Sequence, residues 1–317
     1  MLKYLIIPLA DDAVSFCHYA PKSDSTTVIP PKTLKKAIFW AMKENLSVQF
    51  VYPSRQLPQE VIDLVNEIDH TDIKPISKNA DAETIFVIDN IDNADKHALD
   101  RESAYVLRAS FAELLESADK IKDILKSVGR LNVIITDVAK FKDEDIYKYL
   151  EWLQSITSAI KEEYLVGHPV QLNLLADRLT LTGMNNCNAG DESITLAPDG
   201  KFYVCPGFYY DGMPDVGNID DGLDIKNPQL YKLTHAPICR ECDAFHCKRC
   251  IWLNRQLSRE VNTPGREQCV MAHIERNAAK KLLEALREVD PNYLGDTNIP
   301  SIDYLDPFDK IINKNNR

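Results

Sequence analysis

The sequence lacks several features that would assign a class of protein at once. No apolar run approaches the ~20 residues that a membrane-spanning helix needs, so we expect no membrane partner. Lys and Arg number 37 against 48 Asp and Glu, and the formal charge of −11 argues against a nucleic-acid-binding protein. The chain also has no glycine-rich phosphate loop and no nucleophile elbow. The function must therefore be sought in another kind of site.

The N-terminal segment does not read as a secretory signal. Its residues, MLKYLIIPLADD, are apolar for only a short stretch and carry neither a basic region nor a small-residue cleavage site. We therefore expect a cytoplasmic protein, in which cysteines stay thiols and are available to metals. The chain has 317 residues, 44% hydrophobic and 27% charged, which is the balance of an ordinary globular protein with a sizeable core.

The first ~175 residues alternate short apolar runs with amphipathic stretches, the pattern of β-α units around a parallel sheet. Because the apolar runs are continuous, each strand is expected to be covered on both faces. Strands are predicted at Tyr4–Pro8, Ser47–Tyr52, Thr84–Ile88, Ala104–Leu107, Asn132–Thr136 and Val170–Leu174. Helices are predicted at Lys32–Glu44, Glu60–Ile68, Ser110–Ser127 and Glu144–Glu163. An open sheet and an incomplete barrel both fit this α/β pattern.

The composition changes after Leu175, where Gly, Pro, Asn and Asp become frequent. We place a domain boundary near Thr180. Two short runs on either side of Pro198-Asp199-Gly200 predict a hairpin, since proline favours the first corner of a turn and glycine the left-handed position that follows. A helix from Gln268 to about Glu288 is expected to pack the C-terminal region onto the first domain.

The eight cysteines are distributed very unevenly. Cys17 stands alone among the first 186 residues. The others fall within an 83-residue stretch, at Cys187, Cys205, Cys239, Cys242, Cys247, Cys250 and Cys269. Thiols that merely pack in a core have no reason to cluster in this way. Since thiolates are soft ligands suited to zinc or to iron–sulfur clusters, we interpret the seven as a metal site.

The number of ligands helps to separate zinc from iron–sulfur clusters. One zinc ion would leave three cysteines idle, whereas two zinc sites need eight ligands, which His246 or His235 would complete. Two four-iron clusters also need eight ligands, but in such clusters one iron atom is often bound by a ligand other than cysteine or has no protein ligand. The run Cys239-x2-Cys242-x4-Cys247-x2-Cys250 is similar to that of bacterial ferredoxins, and its middle gap is far shorter than the ~15–20 residues of a zinc ribbon. We favour two [4Fe-4S] clusters and keep a zinc-binding, non-redox protein-interaction module as the alternative.

The spacing of the cysteines resembles that of a known module. Cys187-x12-Gly200-x4-Cys205, the four-cysteine run and the later Cys269 together resemble the SPASM module. That module forms the C-terminal half of many radical S-adenosylmethionine enzymes that modify ribosomally made peptides. The first half of the pattern matches without adjustment. In the second half the family usually has five and three residues in the later gaps, where this chain has four and two.

The resemblance implies a ligand set for each cluster. One cluster would be held by Cys239, Cys242, Cys247 and Cys269. The other would be held by Cys187, Cys205 and Cys250. Its fourth ligand is unassigned, because no further cysteine lies just upstream of Cys187, so this cluster is expected to have only three cysteine ligands.

The N-terminal domain differs from the related enzymes at one decisive place. Those enzymes carry a Cys-x3-Cys-x2-Cys loop after the first barrel strand, which binds the cluster that cleaves S-adenosylmethionine. The equivalent loop here, after Tyr4–Pro8, is Ala13-x3-Cys17-x2-Ala20, with Tyr19 where an aromatic residue is common. One thiolate cannot hold such a cluster. The resemblance therefore implies a degenerate barrel with no catalytic residues and no bound S-adenosylmethionine, and Cys17 is interpreted as an inert buried thiol.

The order of first strand, degenerate loop and SPASM half is similar to the CXXX repeat peptide maturases. The resemblance implies an iron–sulfur protein that acts on or presents a ribosomally synthesised cysteine-repeat peptide. It also implies a partner, a separate and intact radical S-adenosylmethionine enzyme. The domain division is then a partial (βα)6 barrel over residues 1–179, the SPASM domain over 180–275, and a C-terminal helix and tail over 276–317.

Overall fold

A computed structural model of the chain describes residues 2–21, 25–77, 84–96 and 99–309. Eleven β-strands are found in these ranges. They are β1 (Tyr4–Pro8), β2 (Ser47–Val51), β3 (His70–Pro75), β4 (Thr84–Ile88), β5 (Ala104–Ala109), β6 (Arg130–Ile135), β7 (Gln171–Leu172), β8 (Ser193–Leu196), β9 (Phe202–Tyr203), β10 (Gly217–Asn218) and β11 (Gly222–Leu223).

Nine α-helices, with short 3-10 turns, connect these strands within the described ranges. They are α1 (Pro31–Glu44), α2 (Gln59–Val65), α3 (Phe111–Glu116), α4 (Ala118–Ser127), α5 (Ile146–Leu165), α6 (Ala176–Thr180), α7 (Pro206–Tyr210), α8 (Ile251–Ser258) and α9 (Arg266–Arg287). Among them, none combines the length and apolar character that a membrane span requires.

Nine of the strands form one sheet, in the order β7-β6-β5-β4-β3-β2-β1-β8-β9. Strands β1 to β7 are consecutive neighbours and parallel, and only β9 runs antiparallel to its partner. Crossovers between parallel strands are almost always right-handed, so strands that follow each other in one direction place their helices on one face. This gives an incomplete barrel with a cysteine-rich C-terminal region, and the predicted α/β fold class is confirmed.

The inner face of the sheet has its own apolar core. Each of the strands β1 to β6 contributes one inward-facing residue to this core. These are Ile6, Val51, Ile73, Val87, Val106 and Ile134. Ala13 and Val14, from the loop after β1, belong to the same cluster. Residues at alternate positions of the strands, such as Leu5 and Ile7, pack outward against helices. The loop after β1 is therefore anchored in the barrel interior.

Helices α6, α7 and α8 and the strands β10 and β11 were not predicted from the sequence, and two further regions differ in detail. Strand β3 was not predicted, because its residues HTDIKP are mostly polar; it forms because β2 and β4 pair with it on both sides. The predicted helix Ser110–Ser127 is divided at Ser117 into α3 and α4. Ser110 caps α3 through a reciprocal pair of hydrogen bonds with Glu113, as expected for a residue that begins a helix.

The predicted hairpin joins the main sheet rather than forming a separate one. Strand β8 pairs in parallel with β1, and β9 pairs antiparallel with β8. Gly200, in the turn, has φ +79°, which a side chain would disfavour. The predicted final helix is confirmed as α9, which packs along α5 through residues such as Ile274 and Leu282. The boundary near Thr180 remains a prediction.

Asn173 offers a test of how the last parallel strand is held. Its buried side chain accepts a hydrogen bond from the Val133 amide at 2.8 Å and donates one to the Val133 carbonyl at 3.1 Å. Asn173→Ala leaves both backbone groups without these partners, so we expect a loss of about 2–4 kcal/mol in the free energy of unfolding. Urea unfolding measures this change in free energy, with both proteins prepared at the same metal content. Gln171→Ala, at an exposed position of β7 two residues earlier, is the control. It removes only a surface hydrogen bond from Arg130 and should change the free energy by less than about 1 kcal/mol.

Candidate metal centre

The cysteine-rich loops lie over the carboxyl ends of β6 and β7. A cavity of about 60 Å³ separates them, lined below by Ile135 and Asn173 and above by Cys247 and Lys248. His18, from the loop after β1, lines the same cavity. This is the end of a parallel sheet at which loops commonly build functional sites.

Four of the predicted ligands lie close enough to interact electrostatically. The Cys269 thiol has Cys247, Cys239 and Cys242 as its strongest charged neighbours. Cys247 in turn has Cys239 and Cys242. We call these four residues the first quartet. They are the same four that the SPASM resemblance assigns to one cluster.

A second group forms around the remaining predicted ligands. The Cys205 thiol has Cys250 and Cys187 as its strongest charged neighbours, and Cys250 has Cys187. Cys17 joins this group, since its strongest charged neighbours are Cys187 and Cys250, and it also acts on Cys205. We call Cys17, Cys187, Cys205 and Cys250 the second quartet. Sequence reasoning found three of its members and treated Cys17 as inert.

Burial is the largest influence on these thiols. It raises the pKa of Cys239 to about 11 and the pKa values of Cys247 and Cys250 to about 12. The pKa values of the half-buried Cys205, Cys269 and Cys17 are raised for the same first reason. Cys187 is exposed, so we draw no conclusion from burial for this thiol. In the absence of a bound cation, the neutral form of these thiols is thus favoured. A bound metal supplies positive charge and displaces the protons.

Arg249 lies between the two quartets and is almost fully buried. Its charge acts on Cys239 and Cys247 of the first quartet and on Cys187 of the second. Both terminal nitrogens donate to the Tyr231 carbonyl at 3.1 Å, while Nε has no hydrogen-bond partner among the described residues. Burying a guanidinium is costly unless negative charge lies nearby. Two anionic centres, one on each side, would provide it.

Lys248 supports the second quartet from the cavity side. Its charge acts on Cys17 and Cys187, and its Nζ lies 3.8 Å from Asp177. Arg249, the next residue along the chain, is only 2% exposed and therefore does not belong to a solvated surface turn.

Hydrogen-bond donors also point at the sulfur atoms. The amide of Ala244 donates to Cys242 Sγ at 3.4 Å, and that of Leu253 donates to Cys250 Sγ at 3.5 Å. Donors of this kind stabilise thiolates and tune the reduction potential of iron–sulfur clusters. The donor set therefore fits anionic, thiolate-ligated clusters.

An ion pair fixes the cysteine-rich loop to α9. Arg276, which is fully buried, donates to Asp243 through Nε at 3.1 Å and Nη2 at 2.7 Å. Asp243 is the residue after Cys242, and Cys269 lies in the first turn of α9. The pair therefore holds two segments of the first quartet in register. Such bidentate contacts are geometrically specific.

A buried polar network lies beside the first quartet. Tyr149 donates to Glu275 at 2.5 Å, and His246 Nε2 lies 3.0 Å from the other Glu275 oxygen. Burial first, and then the charge of Glu275, raises the pKa of Tyr149. His246, which was considered as a zinc ligand, is thus engaged by a carboxylate. His235, the other candidate, interacts with Thr234 at 3.1 Å.

In the described ranges, no three or more His, Cys, Asp or Glu side chains converge as tightly as a single-ion site requires. Thiolates around one zinc ion lie about 3.8 Å apart, as follows from a 2.3 Å bond and tetrahedral angles. In a four-iron cluster each thiolate binds a different iron atom, so the sulfur atoms lie farther apart. All eight cysteines are in the described part of the chain, and none of them forms a disulfide there.

A second, larger cavity opens at the mouth of the barrel. Its volume is about 520 Å³, and it is lined by residues that follow β2, β3 and β4, including Tyr52, Ile76 and Asp89. This places a wide recess at the same end of the sheet as the cysteine-rich loops.

No protein-family profile matches the sequence. No curated protein matches it significantly. Solved structures, however, share its fold. The chain is similar to anSMEcpe with bound AdoMet, with a TM-score of 0.61 at 14% identity, covering 91% of this chain and 100% of that one. The TM-score is 0.60 against anSMEcpe with bound AdoMet and the Cp18Cys peptide, with the same identity and coverage.

A further solved structure is also similar. SuiB from Streptococcus suis, bound to S-adenosylmethionine, matches with a TM-score of 0.50 at 12% identity, covering 85% of this chain and 77% of that one. At these identities the likeness shows the fold. The chain has an incomplete barrel like that of anSMEcpe and SuiB, followed by a cysteine-rich region.

The raised thiol pKa values predict a pH profile for alkylation of metal-free protein. The thiolate is the reactive form, so iodoacetamide should react with Cys239 about tenfold faster per pH unit from pH 7 to 10. In urea the same cysteine should level off above its ordinary pKa of about 8.5. Mass spectrometry of the labelled peptides measures both profiles. A folded profile that levels off near pH 9 would contradict the burial argument.

Proposed function

We propose that the chain is a two-cluster iron–sulfur protein that serves the maturation of a ribosomally synthesised peptide. The observation that carries the proposal is the division of the cysteines into two groups of mutually interacting thiols at the carboxyl end of a parallel sheet. Cys239, Cys242, Cys247 and Cys269 would hold one [4Fe-4S] cluster. Cys187, Cys205 and Cys250 would hold the other.

The surroundings of the thiols support clusters rather than bare thiols. Buried Arg249 and nearby Lys248 provide positive charge, and backbone amides donate to sulfur. When bound, the clusters would supply one-electron transfer. The chain's own residues would hold them, exclude water and set their potentials through these charges and hydrogen bonds.

The loop after β1 supports an accessory role. Ala13 and Ala20 stand where the resemblance expects cysteines, and Ala13 is buried in the inner core of the barrel. A loop with one thiol lacks the three ligands that a cluster for cleaving S-adenosylmethionine needs. We propose that a separate, intact radical enzyme performs the chemistry, and that this chain relays electrons to it or presents the peptide.

The similarity to anSMEcpe supports the peptide part of the proposal. That protein has been solved with the Cp18Cys peptide bound. In the present chain, the recess of about 520 Å³ at the barrel mouth offers a place for an extended peptide segment beside the cysteine-rich loops. From the resemblance to the CXXX repeat peptide maturases, we further propose that the substrate is a cysteine-repeat precursor peptide.

Metal analysis of anaerobically purified protein tests the clusters. We expect about eight iron atoms and about eight acid-labile sulfides per chain, four of each per cluster. Cys269→Ala should lower both counts by up to about four, whereas Glu267→Ala in the same helical turn should leave them unchanged. About two equivalents of zinc without sulfide would instead favour the protein-interaction module.

A second experiment addresses the degenerate loop. The purified, cluster-loaded protein is incubated with S-adenosylmethionine and a strong reductant, and 5′-deoxyadenosine is measured by chromatography. We expect no product above the level without protein, since the loop lacks two of three ligands. Robust formation of 5′-deoxyadenosine by the isolated chain would refute the accessory role.

A further inference from the structure

The second quartet raises a question that the resemblance left open. Three predicted ligands, Cys187, Cys205 and Cys250, account for three irons of a four-iron cluster, and no cysteine lies just upstream of Cys187. A fourth ligand must then come from another segment of the chain, or one iron is left without a protein ligand.

The loop that carries Cys17 is fixed in place by several contacts. Arg108 donates to the Cys17 carbonyl at 3.0 Å and to the Tyr19 carbonyl at 2.7 Å. His18 Nδ1 lies 3.0 Å from the Ile135 carbonyl at the end of β6. With Ala13 packed into the barrel interior, the loop has few ways to move. Cys17 is therefore presented from a rigid segment, as a good ligand should be.

The same loop is locked to the segment that carries Cys205. Tyr19 stacks on Tyr210, with ring centroids 5.5 Å apart and planes inclined by 19°. Tyr210 ends α7, and Cys205 is the residue that immediately precedes this helix. Tyr209 of the same helix donates to Asp11, which lies just before the loop. Aromatic stacking and the hydrogen bond thus hold the loop and α7 side by side.

Among the charged groups that act most strongly on Cys17, the only ones that can bind a metal are two thiols. These groups are the thiols of Cys187 and Cys250, and then Lys248 and Arg108, which are cations with no lone pair to offer a metal. The four remaining cysteines have their strongest thiol neighbours within the first quartet. Cys17 is thus the thiol that completes the second set.

We propose that Cys17 is the fourth thiolate ligand of the cluster held by Cys187, Cys205 and Cys250. The inference rests on the proposed function, since it requires that the second cluster is bound. On binding, the Cys17 thiol releases its proton to solvent as its sulfur–iron bond forms. The one cysteine of the degenerate loop would then coordinate an iron atom of the neighbouring cluster.

This assignment changes what the second cluster can do. A cluster with four thiolate ligands leaves no iron open, so a substrate would not bind to it directly. Electron transfer and a structural role remain. The loop would also tie the first strand of the barrel to the cysteine-rich region through a metal-bound side chain. The interpretation of Cys17 as an inert thiol would be replaced.

The test compares variants after mild oxidation, because an iron without a thiolate ligand is readily lost and leaves a three-iron cluster with its own paramagnetic signal. Wild-type protein, Cys17→Ala, Cys17→Ser and Cys205→Ala are purified without oxygen, treated with ferricyanide and measured by electron paramagnetic resonance. Ala20→Ser, at an exposed position of the same loop, is the control that keeps the thiol. We expect about one three-iron cluster per chain in Cys17→Ala and Cys205→Ala, and almost none in wild type and Ala20→Ser.

The outcomes separate this inference from the proposed function. If Cys17→Ala resists oxidation like wild type, Cys17 is not a ligand, although two clusters may be counted as before. If wild type itself forms the three-iron cluster, the second cluster is open and the inference fails while the function stands. Wild type with zinc and no sulfide overturns both. Should Cys17→Ala fail to fold, the Cys17→Ser variant decides, since a ligand change to oxygen should shift the reduction potential of one cluster only.

Discussion

The structure depends on gathering thiols into two groups at one edge of a parallel sheet, where most of them are at least partly shielded from water. A buried neutral thiol is tolerated easily, but a buried thiolate is costly without compensating charge. The raised pKa values of Cys239, Cys247 and Cys250 express this cost in the absence of metal. Arg249, buried between the groups, has the complementary problem, since it is a cation with an unpartnered Nε among the described residues. Metal-bound thiolates on both sides would resolve the two problems together.

The barrel supplies the rigidity that such a site needs. Helix α9 packs along α5 and carries both Cys269 and Arg276, and the latter pairs with Asp243 beside Cys242. One helix thus supports the sheet and fixes the spacing within the first quartet. The second quartet is built differently, because its members come from the loop after β1, from the two ends of the hairpin β8–β9 and from the residue that precedes α8. The hairpin β8–β9 brings Cys205 next to the first strand, since β8 pairs directly with β1.

The loop after β1 connects fold and function. His18 of this loop lines the cavity that lies under the cysteine-rich loops. Here Ala13 belongs to the inner apolar core, which suits packing and not metal binding. The charges of Arg108 and Lys248 both act on Cys17. A chemical role for this thiol requires the other three members of the second quartet. An accessory protein with two closed clusters is consistent with all of these features.

The sequence by itself determined the elements whose signals are local. Strands β1 and β4, the hairpin and α9 follow from apolar runs, a Pro-Asp-Gly turn and helical spacing, and the seven clustered cysteines are visible from their spacing alone. Strand β3 could not be found in this way, because pairing with two neighbours outweighs its polar composition. The place of Cys17 was decided only by tertiary structure, as were the buried Arg249 and the Arg276–Asp243 pair. The physical reason is that charges and metal ligands act over distances in space. The pairing of the strands sets these distances, and the spacing of residues along the chain does not.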